Sequence, residues 1–253
     1  MPEQIEKLMA HSAHLLDAFI ALRERYALLH PMLFDPDLPK LRGSGAQTRG
    51  FLTLRHSLFF SCAQDVAKLA LDKDPRTPSI RNLVAAIQRD QITVVLRSRF
   101  SEWVIPSVEG EDPEIVEALT RIELREQEQR CKQFEQLLAK AVVDWKALET
   151  DPALVSFRTI RDKVSAHTEI QYVADKYQFV DIGALGIKWS DIKRLIDDMQ
   201  SLVEVLGLLI RNTGFAWNML DSQLAGASES FWQPSAASAL GARRTRHAPC
   251  RAG

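Results

Sequence analysis

Cysteine is scarce in this chain. Cys62, Cys131 and Cys250 are its only three, and no two form a CxxC pair. Neither a disulfide framework nor a zinc site is therefore indicated, and a reducing, cytoplasmic setting is the expectation. Long apolar runs are missing too. The longest, residues 202–210, is broken by Glu204 and is far shorter than the ~20 residues that span a bilayer. The first residues, Met1-Pro2-Glu3-Gln4-Ile5-Glu6-Lys7, are acidic and lack the apolar core of a secretion signal. An excess of either charge is also absent, because the formal net charge is -1. Coating nucleic acid by bulk electrostatics needs many unopposed Lys and Arg, so that class of function is excluded, although a local basic patch is not. No solenoid-length repeat occurs, and no stretch alternates convincingly as a strand.

What is present is apolar residues at helical spacing. With 46% apolar and 26% charged residues over 253 positions, the chain can bury a substantial core. Over residues 3–29, Ile5, Leu8, Met9, Leu15, Leu16, Phe19, Ile20 and Leu22 share a stripe, small Ser12 fills a slot within it, and Pro31 is expected to end the helix. Pro and Gly make 31–47 a loop. A second helix over 47–71 places Phe51, Leu54, Leu58, Phe59, Cys62, Val66, Leu69 and Ala70 inward, and Asp72-Lys73-Asp74-Pro75 stops it. Ser79 caps a third helix running to Phe100. Asp112 and Pro113 open a fourth, to Leu148, whose stretch 121–133 reads as a solvated face of i,i+4 charge pairs. Asp151 and Pro152 open a fifth. Residues 169–188 read as a loop over its end. A last helix starts at Ser190 or Asp191, with Ile192, Leu195, Ile196, Met199, Leu202, Val203, Leu206, Leu209 and Ile210 facing the core. From Ala225 the composition turns to Ala, Ser and Gly and closes on Arg243, Arg244 and Arg246, which predicts a disordered tail. The fold class is all-α, with about six main helices in a domain over 1–224 and a tail over 225–253.

The fifth helix carries the chemistry. Leu154, Phe157, Ile160 and Val164 recur at helical spacing, and Arg161 and His167 border that stripe. An arginine separated from a histidine by four to six residues does not by itself choose a site, because Arg23 and Arg25 stand so before His30 and Arg49 before His56. The surrounding residues do choose. Arg161-Asp162-Lys163-Val164-Ser165-Ala166-His167 resembles the R-(D/N)-K-x-x-A-H form of the R-x(4-6)-H motif in the AbiU-type abortive-infection branch of the HEPN superfamily. Leu52-Thr53-Leu54-Arg55-His56-Ser57-Leu58-Phe59-Phe60, leading to Leu71-Asp72-Lys73-Asp74, resembles an early helix of the same branch. Together these likenesses cover most of residues 1–215.

The resemblance implies a HEPN-like helical bundle and an endoribonuclease of a phage-defence or toxin-antitoxin system that needs neither metal nor cofactor. It assigns phosphate stabilisation to Arg161, proton transfer to His167 and an orienting role to Asp162. Both assignments suit the side chains: a guanidinium donates paired hydrogen bonds to phosphate and keeps its charge, and imidazole titrates near working pH. Lys163, four residues before His167, and Arg158 are candidate substrate contacts. RNA, a second copy of the chain and an antitoxin or other partner protein are the implied partners; no membrane is. In a straight helix Arg161 and His167 stand ~9 Å apart along the axis and ~120° apart around it. Either the helix distorts or two copies share a site across a two-fold, and the resemblance favours the second. Many nucleases paired with a modifying antitoxin extend the motif to H-x-Y, whereas here Glu169 holds that position and the nearest tyrosine is Tyr172, which argues against control of that kind. The alternative function is a non-catalytic HEPN-like module binding RNA, a nucleotide or a protein; a plain helical scaffold is a third. His11, His14, His30 and His247 read as packing or solubility residues, and His56 with Arg49 or Arg55 as an auxiliary contact to test.

Overall fold

A computed structural model describes residues 2–40, 45–106, 112–165, 170–173, 176–179 and 185–233. The described elements are α1 (Pro2–Phe34), α2 (Ala46–Leu71), α3 (Ile80–Ile87), α4 (Asp90–Ser101), α5 (Pro113–Glu149), α6 (Pro152–Thr159), a π turn (Ile160–Ser165), strands β1 (Ile170–Val173) and β2 (Lys176–Phe179), α7 (Trp189–Arg211) and α8 (Trp217–Trp232). The all-α class holds. The chain divides into two units, Met1–Phe215 and Ala216–Gly253.

In the first unit α7 is the central element, packing against α1, α2, α3, α4, α5 and α6. It buries all nine residues expected of it, together with Val205 and Gly207. The Asp191 carboxylate accepts the Lys188 backbone N–H at 2.8 Å at its start. Asn212, left-handed at φ 53°, ends it and donates its N–H to the Leu208 carbonyl, as asparagine tolerates that conformation. Along α1, Ile5, Leu8, Ser12, Leu15, Phe19, Leu22, Tyr26 and Leu29 are buried, a three-four spacing that presents one seam to α2 and α7. Met9, Leu16 and Ile20 flank that seam rather than lie within it. Ser12 does fill its slot, accepting a 3.2 Å hydrogen bond from Arg211 Nε.

Several boundaries differ from expectation, each for a local reason. Pro31 lies inside α1, which continues to Phe34. A proline removes one ladder bond, and buried Leu29 and Met32 hold the last turn. Leu54 is exposed and Leu58 half-buried, because the first half of α2 buries only Phe51. The expected third helix is two, parted where Arg89 turns extended; the Thr93 hydroxyl bonds the Ile87 and Arg89 carbonyls at 2.6 and 3.0 Å there. Residues 170–173 and 176–179, expected in a loop, pair as antiparallel strands, with Ile170 opposite Phe179 and Tyr172 opposite Tyr177. Their aromatic and β-branched residues favour strands, and cross-strand pairing is invisible to a test of alternation within one segment.

Asp112 caps α5 through a 2.9 Å bond from Glu114 N–H, with Pro113 following. Its buried residues, Phe134, Ala141, Trp145 and Leu148, lie in the second half. In the first half Ile115, Ile122 and Leu124 are exposed, and Glu117–Arg121, Glu126–Arg130 and Glu128–Lys132 form i,i+4 pairs. No described helix is long and apolar enough to cross a membrane. In the second unit, α8 continues to Trp232, where the Phe231 ring stands edge-on to Trp232 at 4.9 Å. Residues 225–232, expected in the tail, are thus helical. Ser228 is buried within this run, and context overrides the weak helix propensity of Gly226, Ser228 and Ser230.

Candidate functional site

The motif begins from a firmly fixed point. Asp151 accepts hydrogen bonds from the N–H groups of Ala153 (2.8 Å) and Leu154 (3.4 Å), with Pro152 at the first helical position. The same carboxylate takes both ends of Arg194 on α7, Nη1 to Oδ2 at 2.6 Å and Nη2 to Oδ1 at 3.1 Å. Burial pushes the Asp151 carboxyl up, but the Arg194 and amide hydrogen bonds outweigh it and hold the group below its usual value. Three buried residues then anchor the helix, Leu154, Phe157 and Ile160. Phe157 meets Phe59 of α2 edge-on at 6.1 Å, and Phe59 meets Trp189 at 4.9 Å.

After Thr159 the ladder changes. Residues Ile160–Ser165 form a π turn, whose i→i+5 bonds widen the helix where Arg161, Asp162 and Lys163 sit. Residues Ile160–Ser165 therefore depart from a straight α-helix. Arg161 Nε donates to Asp162 Oδ1 at 2.7 Å, with Arg161 28% and Asp162 48% exposed. The bond uses the Nε edge of the guanidinium, and the Nη edge is the fork that suits a phosphate.

These side chains line a cleft of about 530 Å³. One wall is Arg158, Thr159, Arg161, Asp162 and Lys163; the other is Leu71, Asp72, Lys73 and Arg81, from the corner between α2 and α3. Five cationic side chains thus face two carboxylates. One of those carboxylates is engaged locally, since Asp72 Oδ1 accepts the Asp74 N–H at 3.0 Å. A cleft so charged favours an anion, in a molecule whose net charge is only -1.

The chain matches the AbiU2 family model, a HEPN-type family, over residues 5–231. It belongs to that family. Comparisons with curated proteins and with solved structures find no match. The AbiU2 match takes in α1 through nearly all of α8, which extends the likeness beyond residues 1–215, and it makes the protein an abortive-infection HEPN-type module.

Of the residues singled out in this AbiU2 protein's sequence, Arg158, Arg161, Asp162 and Lys163 line one cleft. His167 lies outside the described residues, as do Glu169 and His247; Tyr172 is in β1. Arg49 lines a separate cleft with Gly50 and Ser57. Arg55 lies over the Trp189 ring at 5.8 Å, and neither it nor the exposed His56 lines the motif cleft. His30 packs against Tyr26 and Phe34, and burial lowers its pKa. Lys73 and Arg81 were missed. Lys73 reads as part of a helix stop within the family likeness and Arg81 as a residue in the first turn of the third helix, and neither is distinguished as a site residue until packing brings that corner against the π turn.

Proposed function

We propose that this AbiU2-family protein is an endoribonuclease cleaving RNA through its 2′-hydroxyl without need of a metal ion. His167 takes the 2′-hydroxyl proton, the 2′-oxygen bonds to phosphorus, and the bond from phosphorus to the 5′-oxygen breaks. A proton passes to the departing 5′-oxygen, leaving a 2′,3′-cyclic phosphate and a 5′-hydroxyl with no change of oxidation state. Arg161 neutralises the phosphoryl oxygens through its Nη edge as charge builds, with Asp162 as its positioning residue. Arg158 and Lys163 hold the strand. The observation that carries this reading is the cleft, rich in cationic side chains, that opens where the helix ladder widens at Arg161-Asp162-Lys163.

The test is incubation of the purified full-length chain with RNA in EDTA, read by gel and by the chemistry of the new ends. Arg161→Ala and His167→Ala should each lower the rate by roughly 10²–10³-fold, the usual scale for losing one charge-stabilising or proton-transferring group. Resemblance to HEPN nucleases further suggests that two copies share the site. Mixing the two inactive variants then restores part of the activity, and no restoration means that each chain works alone. RNA binding without cleavage at any enzyme concentration points instead to a non-catalytic module.

A further inference from the structure

We infer that Arg81 and Lys73 form a second phosphate-binding point across the cleft from Arg161, so that the protein grips at least two successive phosphates of an RNA strand. This rests on the ribonuclease reading above and adds the wall of the cleft that the motif does not contain. The corner between α2 and α3 is rigid. Ser79, fully buried, donates its hydroxyl to the Asp72 carbonyl at 2.7 Å and accepts the Asn82 N–H at 3.2 Å. The Asn82 side-chain amide donates to the carbonyls of Asp74 and Thr77 at 2.7 and 3.1 Å. None of these bonds uses Lys73 or Arg81, so the corner presents both cations without depending on them.

Among the described residues Lys73 makes no ion pair, and Arg81 makes one, Nη1 to Glu149 Oε1 at 3.3 Å, with both side chains about one-third exposed (34% and 37%). A single long contact in partial solvent is a weak hold on a guanidinium, and phosphate is a better partner for its planar fork. Charge counting leads to the same place. The five cationic side chains lining the cleft outnumber Asp72, Asp162 and the Glu149 partner of Arg81 by two, an excess that the single negative charge of one phosphodiester does not neutralise. A strand with a further phosphate on the corner side does so more fully. Glu149 then acts as an internal competitor that releases Arg81 when RNA enters.

The experiment is fluorescence anisotropy of the full-length chain with a short RNA whose 2′-positions are methylated to block cleavage, repeated over a series of salt concentrations. Arg81→Gln should weaken binding several-fold and lower the slope of log K against log[salt] by about 0.7, the value of one lost phosphate contact on a single strand. Lys73→Gln should do the same to a smaller degree, and Glu149→Gln should tighten binding. A thermal melt of each variant confirms that it is folded. If wild type binds and cleaves while Arg81→Gln and Lys73→Gln keep its affinity and slope, the second binding point is overturned and the ribonuclease reading stands. If wild type neither binds the methylated strand nor cuts the unmodified one, the ribonuclease reading fails and this inference with it.

Discussion

α7 and the segment formed by α6 and the π turn both bury an apolar stripe, yet their backbones behave differently. Every turn of α7 carries a buried side chain, from Ile192 to Ile210, so packing on several sides keeps its ladder regular. The stripe of the shorter segment is fully buried at Leu154, Phe157 and Ile160, and the next three residues, Arg161, Asp162 and Lys163, are exposed or half-buried. Past Ile160 the ladder widens into the π turn, which packs against α2 and α6. The irregular turn coincides with the charged cleft, as π turns often do at functional sites.

The strongest way to break that comparison is to make the two segments alike. Deleting Ser165, to draw the π turn back toward an α-helical ladder, should cost at least about 100-fold in RNA cleavage because the groups around the scissile phosphate lose their geometry. Its melting temperature should move by only a few degrees, since Leu154, Phe157 and Ile160 keep their places. Full activity in the deletion variant would show the widening to be incidental. The next largest effect is on stability alone. Leu202→Ala, at the fully buried middle of α7, should lower the unfolding free energy by about 2–5 kcal/mol through lost burial and the cavity left behind. RNA cleavage measured well below the melting temperature should be nearly unaffected.

A smaller effect sharpens the comparison at the start of α6. Asp151→Ala should cost about 1 kcal/mol in urea unfolding, the ordinary value of an N-cap. The acid dependence has a definite sign. The folded-state pKa of Asp151 lies below its ordinary value of 3.8, so this group's contribution is fully present above that value and is lost as pH falls through the folded value. Wild type should therefore lose more stability between pH 5 and pH 2 than Asp151→Asn, which keeps a capping side chain but no charge for Arg194. Equal losses would mean that the Arg194 pair contributes nothing.

Features fixed by neighbouring residues were legible in the sequence. Asp112 with Pro113 and Asp151 with Pro152 mark helix starts because a capping side chain reaches amides only two or three residues away. The α7 stripe and the Ser12 slot follow from periodicity. Features that depend on distant parts of the chain were not legible. The break at Arg89, the pairing of β1 with β2 and the widening after Thr159 arise once elements meet, and each overrides a pattern that reads as continuous helix or loop. The candidate site divides in the same way. Arg161, Asp162 and Lys163 belong to a recognisable motif with Arg158 three residues before it, whereas Lys73 and Arg81 join them only through the packing of α2 against α6 and the π turn.

The lopsided burial of α5 has a mechanical consequence. At 37 residues the helix is about 55 Å long, and Phe134, Ala141, Trp145 and Leu148 clamp only its far end. Toward Asp112 it rests on its cap, on hydrogen bonds from Gln127 and Arg130 to the carbonyls of Trp103 and Phe100, and on surface ion pairs, each a few tenths of a kcal/mol and weakened by salt. Amide protons should accordingly exchange with solvent along a gradient, slowest near Trp145 and fastest near Glu114. Ionic strength sets how far that unwinding travels, which makes one end of the rod a fixed post and the other a salt-tuned spring.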